Sequence, residues 1–158
     1  MTAIETRSLA PQAILSIRQT IATMDLPRVQ GENLRTLWQV LTDRGVTPAG
    51  PPIVRYHTFS DAETDVEVGV PVSDAVPGEG SAQPGHLPAG PAVVAVHLGG
   101  HDRLGEAYQA LQKAVADNGT ARGPSWEVYE WIDLNEEPDP SRWPAPDAWR
   151  TQLVQPIQ

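Results

Sequence analysis

Two copies of a strand-helix-strand-strand (βαββ) unit, combined in an α+β fold around a pseudo-twofold axis, are predicted from three observations. Strand-like and helix-like stretches follow the same order twice, over about residues 12–72 and again over about 92–157. The two copies also agree in detail: LRTLWQVL from Leu34 aligns with LGEAYQAL from Leu104, GPPIVRYH from Gly50 with GPSWEVYE from Gly123, and VEVGVPV from Val66 with TQLVQPI from Thr151. Finally, a half with one helix and a short sheet buries too little apolar surface to fold alone, so the halves must share a core. The seam between them is a natural cleft. The 158 residues then form a single domain.

Each element has its own signal. QAILSIRQTI, Gln12 to Ile21, alternates with Ala13, Leu15, Ile17 and Ile21 on one face and predicts a first strand. A turn through Pro27 and Gly31 leads to Leu34, Leu37, Trp38 and Leu41 at helical spacing, a helix of about three turns that ends near Arg44 and Gly45. Pro52 to Phe59 and Thr64 to Val72 read as a hairpin, with Val66, Val68 and Val70 on one face and Asp65 and Glu67 on a wet one. Ser73 to Pro91, rich in Gly and Pro, predicts a linker. Ala92 to Leu98 gives a fourth strand. A second helix carries Leu104, Ala107, Tyr108, Leu111 and Val115 on one stripe, with Asp102 as N-cap and a stop at Asn118 and Gly119. Gly123 to Trp131 reads as a fifth strand and Thr151 to Ile157 as a sixth, separated by the acidic, Pro-rich stretch from Asp133 to Trp149.

Composition excludes several functions. The formal charge of -9 and pI of about 4.7 repel phosphate backbones, which argues against direct nucleic-acid binding and leaves cationic partners weakly favoured. Without Cys there is no disulfide framework, thiolate metal site or Cys nucleophile. No apolar run approaches the ~20 residues that cross a bilayer and no signal segment opens the chain, so a cytoplasmic protein without membrane attachment is expected. His57, His97, His101 and Asp102 lack a spacing that converges on zinc, and no metal site is predicted. The nucleophile elbow, P-loop and dinucleotide fingerprint do not occur, so no cofactor is expected.

The informative stretch is GPSWEVYEW. Strand alternation puts Glu127, Tyr129 and Trp131 on one side and Trp126, Val128 and Glu130 on the other, so a carboxylate stands in line with two aromatic rings. On a shielded face that acid costs several kcal/mol when ionised, and its pKa rises. The repeat sharpens the point. Val54 holds the equivalent place in the first copy, so the fold can fill this position with a hydrophobe. Glu127 is therefore expected to serve function, as a charge awaiting a cation or a proton-transfer reaction.

In the order and spacing of LWQVLTDRGVTPAGPPIVRYH, VEVGVPV, LPAGPAVVAVHLGGHDRL and PSWEVYEW, the chain from about Gln12 to Ile157 resembles the GyrI-like small-molecule-binding family, which includes the effector-binding domains of the regulators BmrR and Rob. That resemblance implies two βαββ modules in an antiparallel sheet assembly with a hydrophobic cleft, and it maps the family's characteristic glutamate onto Glu127. It implies bulky, planar, often cationic lipophilic ligands. It also implies, for some members that stand alone, hydrolysis of cyclopropane-bearing DNA-alkylating natural products. After the Gly pair, where the family favours an aromatic, this chain has His101. No DNA-binding segment precedes Gln12, so a regulator fused to the domain is not expected within this chain.

Two chemistries share the same residues. In a binding protein Tyr56, Tyr129 and Trp131, with Trp38, Tyr108 and Trp143, line the cleft and stack on a flat ligand whose charge Glu127 offsets. In a hydrolase Glu127 is the general base for water, and Tyr129 or Tyr56 donates to the oxygen where charge develops. Binding to a protein target such as DNA gyrase ranks last, because the acidic residues are scattered rather than arrayed. Asp133 to Trp149 has the composition of a solvated loop, with tryptophans that suit a lid.

Overall fold

A computed structural model describes residues 2–158. In chain order the elements are β1 (Thr2–Leu9), β2 (Gln12–Ala22), α1 (Leu26–Asp43), β3 (Ile53–Phe59), β4 (Glu63–Pro71), β5 (Gln83–Leu87), β6 (Gly90–Leu98), α2 (Leu104–Asn118), β7 (Trp126–Tyr129) and β8 (Arg150–Pro156). The strands form one antiparallel sheet in the order β1-β6-β8-β7-β3-β4-β2-β5. No helix among the described residues is long and apolar enough to cross a membrane.

The order is symmetric about the β7-β3 contact, and the register locates the axis. Val54 pairs with Glu127 across that contact, with Val68 on its other side facing Val54 and Leu153 facing Glu127. The residues that the repeat makes equivalent are thus direct partners, and the pseudo-twofold axis runs through them. Farther out, Pro71 faces Ile14 and Pro156 faces Ala92.

Both helices lie on one side of the sheet. Leu34, Leu37, Val40 and Leu41 of α1 pack on Leu15, Ile17, Val54, Val66, Val68 and Val70. Ala107, Leu111 and Val115 of α2 pack on Val93, Ala95, Leu153 and Ile157. The opposite faces of the same strands curl into a half-barrel and bury Ile14, Ile53, Ala92, Val94, Trp126 and Val154 against one another.

Several expectations need correction. β1 and β5 are strands where none was predicted, and β5 runs through the segment taken as a linker. Both are edge strands held by backbone pairing to β6 and β2, with mostly exposed side chains, so no apolar alternation announces them. Pro84 fits β5 because an edge strand tolerates a missing donor. Helix α1 starts at Leu26, and the expected turn at Pro27 and Gly31 is its first turns: Pro27 sits where the backbone N–H has no helical acceptor anyway. Asp102 is not the N-cap of α2; it lies in a 3₁₀ turn, His101–Arg103, that leads into the helix. The fifth strand is shorter than expected, and Trp131 follows it in a turn. Finally, the side of β4 taken as wet holds Glu67 buried. Ser16 Oγ donates to it at 2.6 Å, His57 Nε2 stands 2.8 Å away and the Arg55 guanidinium 3.9 Å.

Candidate functional site

Glu127 points from β7 toward the helix side of the sheet and is 4% exposed. Tyr129, two residues along the same strand face, donates its hydroxyl to Oε1 at 2.6 Å. Tyr108 reaches over from α2 and donates to Oε2. Among the described residues the partners of the carboxyl are two phenols, with no Arg, Lys or His. Burial pushes its pKa above the ordinary carboxylate range, and the two donors only partly offset that. The same burial, followed by the nearby carboxylate, raises Tyr129 and Tyr108, and Tyr56 likewise.

Glu67 is the instructive contrast. Burial would raise it too, but the bonds from Ser16 and His57 and the charge of Arg55 outweigh that, and its pKa falls. Glu67 is supplied with a cation, Arg55. Glu127 is not.

In front of Glu127 lies a cavity of about 340 Å³. α1 contributes Pro27, Gln30, Gly31 and Leu34, the sheet floor Val54, Val68 and Tyr129, and the segment after β7 Trp131, Ile132, Pro140, Trp143 and Trp149. Val54, the counterpart of Glu127, is thus on the floor, while the acid is not a lining residue and meets the cavity wall through the Tyr129 hydroxyl. His101 closes the wall from the turn before α2. Its imidazole lies 5.4 Å from the Tyr129 ring, 5.0 Å from Trp131 and 5.2 Å from Trp149. Trp131 and Trp149 stack face to face, 4.4 Å apart and 4° from parallel.

Of the residues expected in the cleft, Tyr129, Trp131 and Trp143 line the cavity, and Glu127 backs it. Tyr56 sits one layer out, accepting a hydrogen bond from the lining residue Gln30 at 3.1 Å. Trp38 does not reach the cavity; its indole N–H donates to the Leu134 carbonyl at 3.1 Å and its ring packs on the first core. Tyr108 acts from behind through Glu127 rather than as a wall. Sequence reasoning missed Trp149 and His101 as lining residues. Both arrive on turns with no periodic pattern, although His101 occupies the place where an aromatic was expected.

The model of the GyrI-like small molecule binding domain matches residues 2–141. The chain belongs to the GyrI-like family. No curated protein matches it. Among solved structures, the GyrI-like domain is similar to the C-terminal domain of EcmrR, with 23% identity over all of this chain (100%) and 98% of that one and a TM-score of 0.77. In the EcmrR–DNA complex the values are 21% identity and TM-score 0.78, over 99% of this chain and 57% of that one, so the GyrI-like domain spans little more than half of that chain. SAV2435, solved bound to tetraphenylphosphonium, shares 13% identity over 99% of this chain and 94% of its own, with a TM-score of 0.52. A hydrolase from Listeria innocua shares 13% over 98% and 91%, with a TM-score of 0.65. At these identities the likenesses establish a common GyrI-like fold, and the family establishes a small-molecule-binding domain.

Proposed function

We propose that this domain binds bulky, planar, lipophilic molecules, preferably aromatic cations, and acts as a drug sink or sensor. The observation that supports this is a buried carboxyl with no cation of its own, set directly behind a cavity walled by Tyr129, Trp131, Trp143, Trp149 and His101. A cation over such rings gains about 0.5–2 kcal/mol from each face it meets. When ionised, Glu127, bonded to the Tyr129 hydroxyl, adds negative charge next to the cavity wall. Stacking and one charge recognise size, flatness and sign, which makes for broad selectivity. The tetraphenylphosphonium held by SAV2435 is a bulky, lipophilic aromatic cation, tetrahedral rather than planar, on the same fold.

Tetraphenylphosphonium titrated against tryptophan fluorescence tests the reading, with triphenylphosphine oxide as the neutral counterpart. Glu127→Ala is expected to weaken the cation by about tenfold or more, roughly 1.4 kcal/mol, and the neutral compound far less. Equal weakening of both would remove the charge from the mechanism.

A hydrolytic reading takes support from the Listeria innocua hydrolase and from the raised pKa of Glu127, which suits a general base. Glu127 would activate water against a strained cyclopropane ring, with Tyr129 or Tyr56 donating a hydrogen bond to the oxygen where charge develops. Against it, both carboxyl oxygens are engaged by phenols and Glu127 is not among the residues that line the cavity. Binding therefore ranks first. Ring-opened product from a cyclopropane-bearing alkylator, lost in Glu127→Gln, would reverse the ranking.

A further inference from the structure

We infer that His101 sets the charge preference of the cavity, admitting cationic aromatic ligands while its imidazole is neutral and turning them away once it is protonated. The inference rests on the binding reading above and names the residue that regulates it. Among the described residues two titratable side chains line the cavity, Tyr129 and His101, and of these His101 can become positive. Its ring sits 5.0–5.4 Å from those of Tyr129, Trp131 and Trp149, the same π systems that a cationic ligand would use. An imidazolium there would take up their negative potential and stand within about 5 Å of the guest, which at an effective dielectric near 20 weakens binding roughly a hundredfold.

The position is fixed in both charge states. Nε2 lies 2.9 Å from the Thr151 hydroxyl, which donates to a neutral ring nitrogen or accepts from a protonated one. Burial and then the neighbouring His97 hold the imidazole below its ordinary pKa, so it is neutral at physiological pH. The charged and titratable groups around it are accounted for element by element. His97 on β6 contacts the Gly100 carbonyl at 3.0 Å, and Glu127 on β7 lies behind Tyr129. On β8, Arg150 is paired with Glu130. Asp102 and Arg103 of its own turn, and Asp147 before Trp149, are exposed. Glu127 also loses charge in acid, so the test must separate the two.

Ligand and proton then exclude each other, and the Kd of a cation rises by up to about tenfold per pH unit below the His101 pKa. The experiment measures tetraphenylphosphonium and triphenylphosphine oxide binding from about pH 8 to about pH 5. It uses the wild type, His101→Phe, which keeps the ring packing, and His101→Gln, which keeps a partner for Thr151. As pH falls through the His101 pKa, wild type is expected to lose the cation more steeply than either variant, whose remaining loss is that of Glu127, and the neutral compound is expected to bind alike throughout. The same loss in both variants would overturn the inference and assign the effect to Glu127. Loss of the neutral compound in parallel with the cation would overturn it as well. Absence of cation binding even at the upper pH would instead refute the function proposed above.

Discussion

Glu67 and Glu127 are buried acids of one sheet, on opposite faces, with pKa values displaced in opposite directions. For Glu127 the folded state holds the proton more tightly than the unfolded chain does. Stability attached to it is therefore complete below the ordinary carboxylate range and is lost as pH rises through the raised value. For Glu67, lowered by Ser16, His57 and Arg55 against the cost of burial, stability is present above the ordinary range and is lost as pH falls through the depressed value. At about pH 8, Glu127→Gln is expected to melt above wild type and Glu67→Gln below it, by about 2–4 °C for each kcal/mol involved. Both differences shrink toward acid. Thermal melts across pH check this, and a Glu127→Gln protein that melts lower than wild type at alkaline pH would show that the two phenol bonds outweigh the desolvation.

At the scale of elements, α1 shapes the cavity by what it omits. Gly31 lies on the cavity wall, and a Cβ added there meets no atom within 4 Å. Gly31→Ala is expected to stabilise the helix by up to about 1 kcal/mol and to leave binding nearly intact. Gly31→Leu should fill the cavity and weaken tetraphenylphosphonium by about tenfold or more, since lost volume cannot be recovered in a close-packed wall. Melts and titrations of both variants decide it. The same helix shows what could be read in advance. Leu34, Leu37 and Leu41 announce α1 because they bury one stripe, but Pro27 and Gly31 signal a turn where its first turns lie. β1 and β5 were silent because backbone pairing, rather than buried side chains, holds them in place. At the site, Glu127 and Tyr129 were legible because strand alternation places them on one face. That Tyr108 would reach the carboxyl from α2, and that Trp149 would stack on Trp131, depend on packing between distant segments, and periodicity carries no trace of it.

For the molecule as a whole, the pseudo-twofold axis makes an exchange possible: Val54→Glu with Glu127→Val keeps composition and net charge and moves the acid across the axis. Were the halves interchangeable, nothing would change. They are not, because Trp38 stands where the second copy has Tyr108, and its N–H is committed to the Leu134 carbonyl. The transplanted carboxyl would have Tyr56 as its one phenol donor, while the buried hydroxyls of Tyr108 and Tyr129 would lose their acceptor, at roughly 1–3 kcal/mol each. The exchanged protein is thus expected to melt lower than wild type, by about 10 °C at 2–4 °C per kcal/mol. Binding should move the other way. Val54 lies on the cavity floor, so an acid placed there faces the ligand directly, and the exchange should bind tetraphenylphosphonium more tightly than Glu127→Val alone. If the exchanged protein, folded by circular dichroism, bound the cation no better than the single variant, a nearby negative charge would not be what draws cations to this cavity.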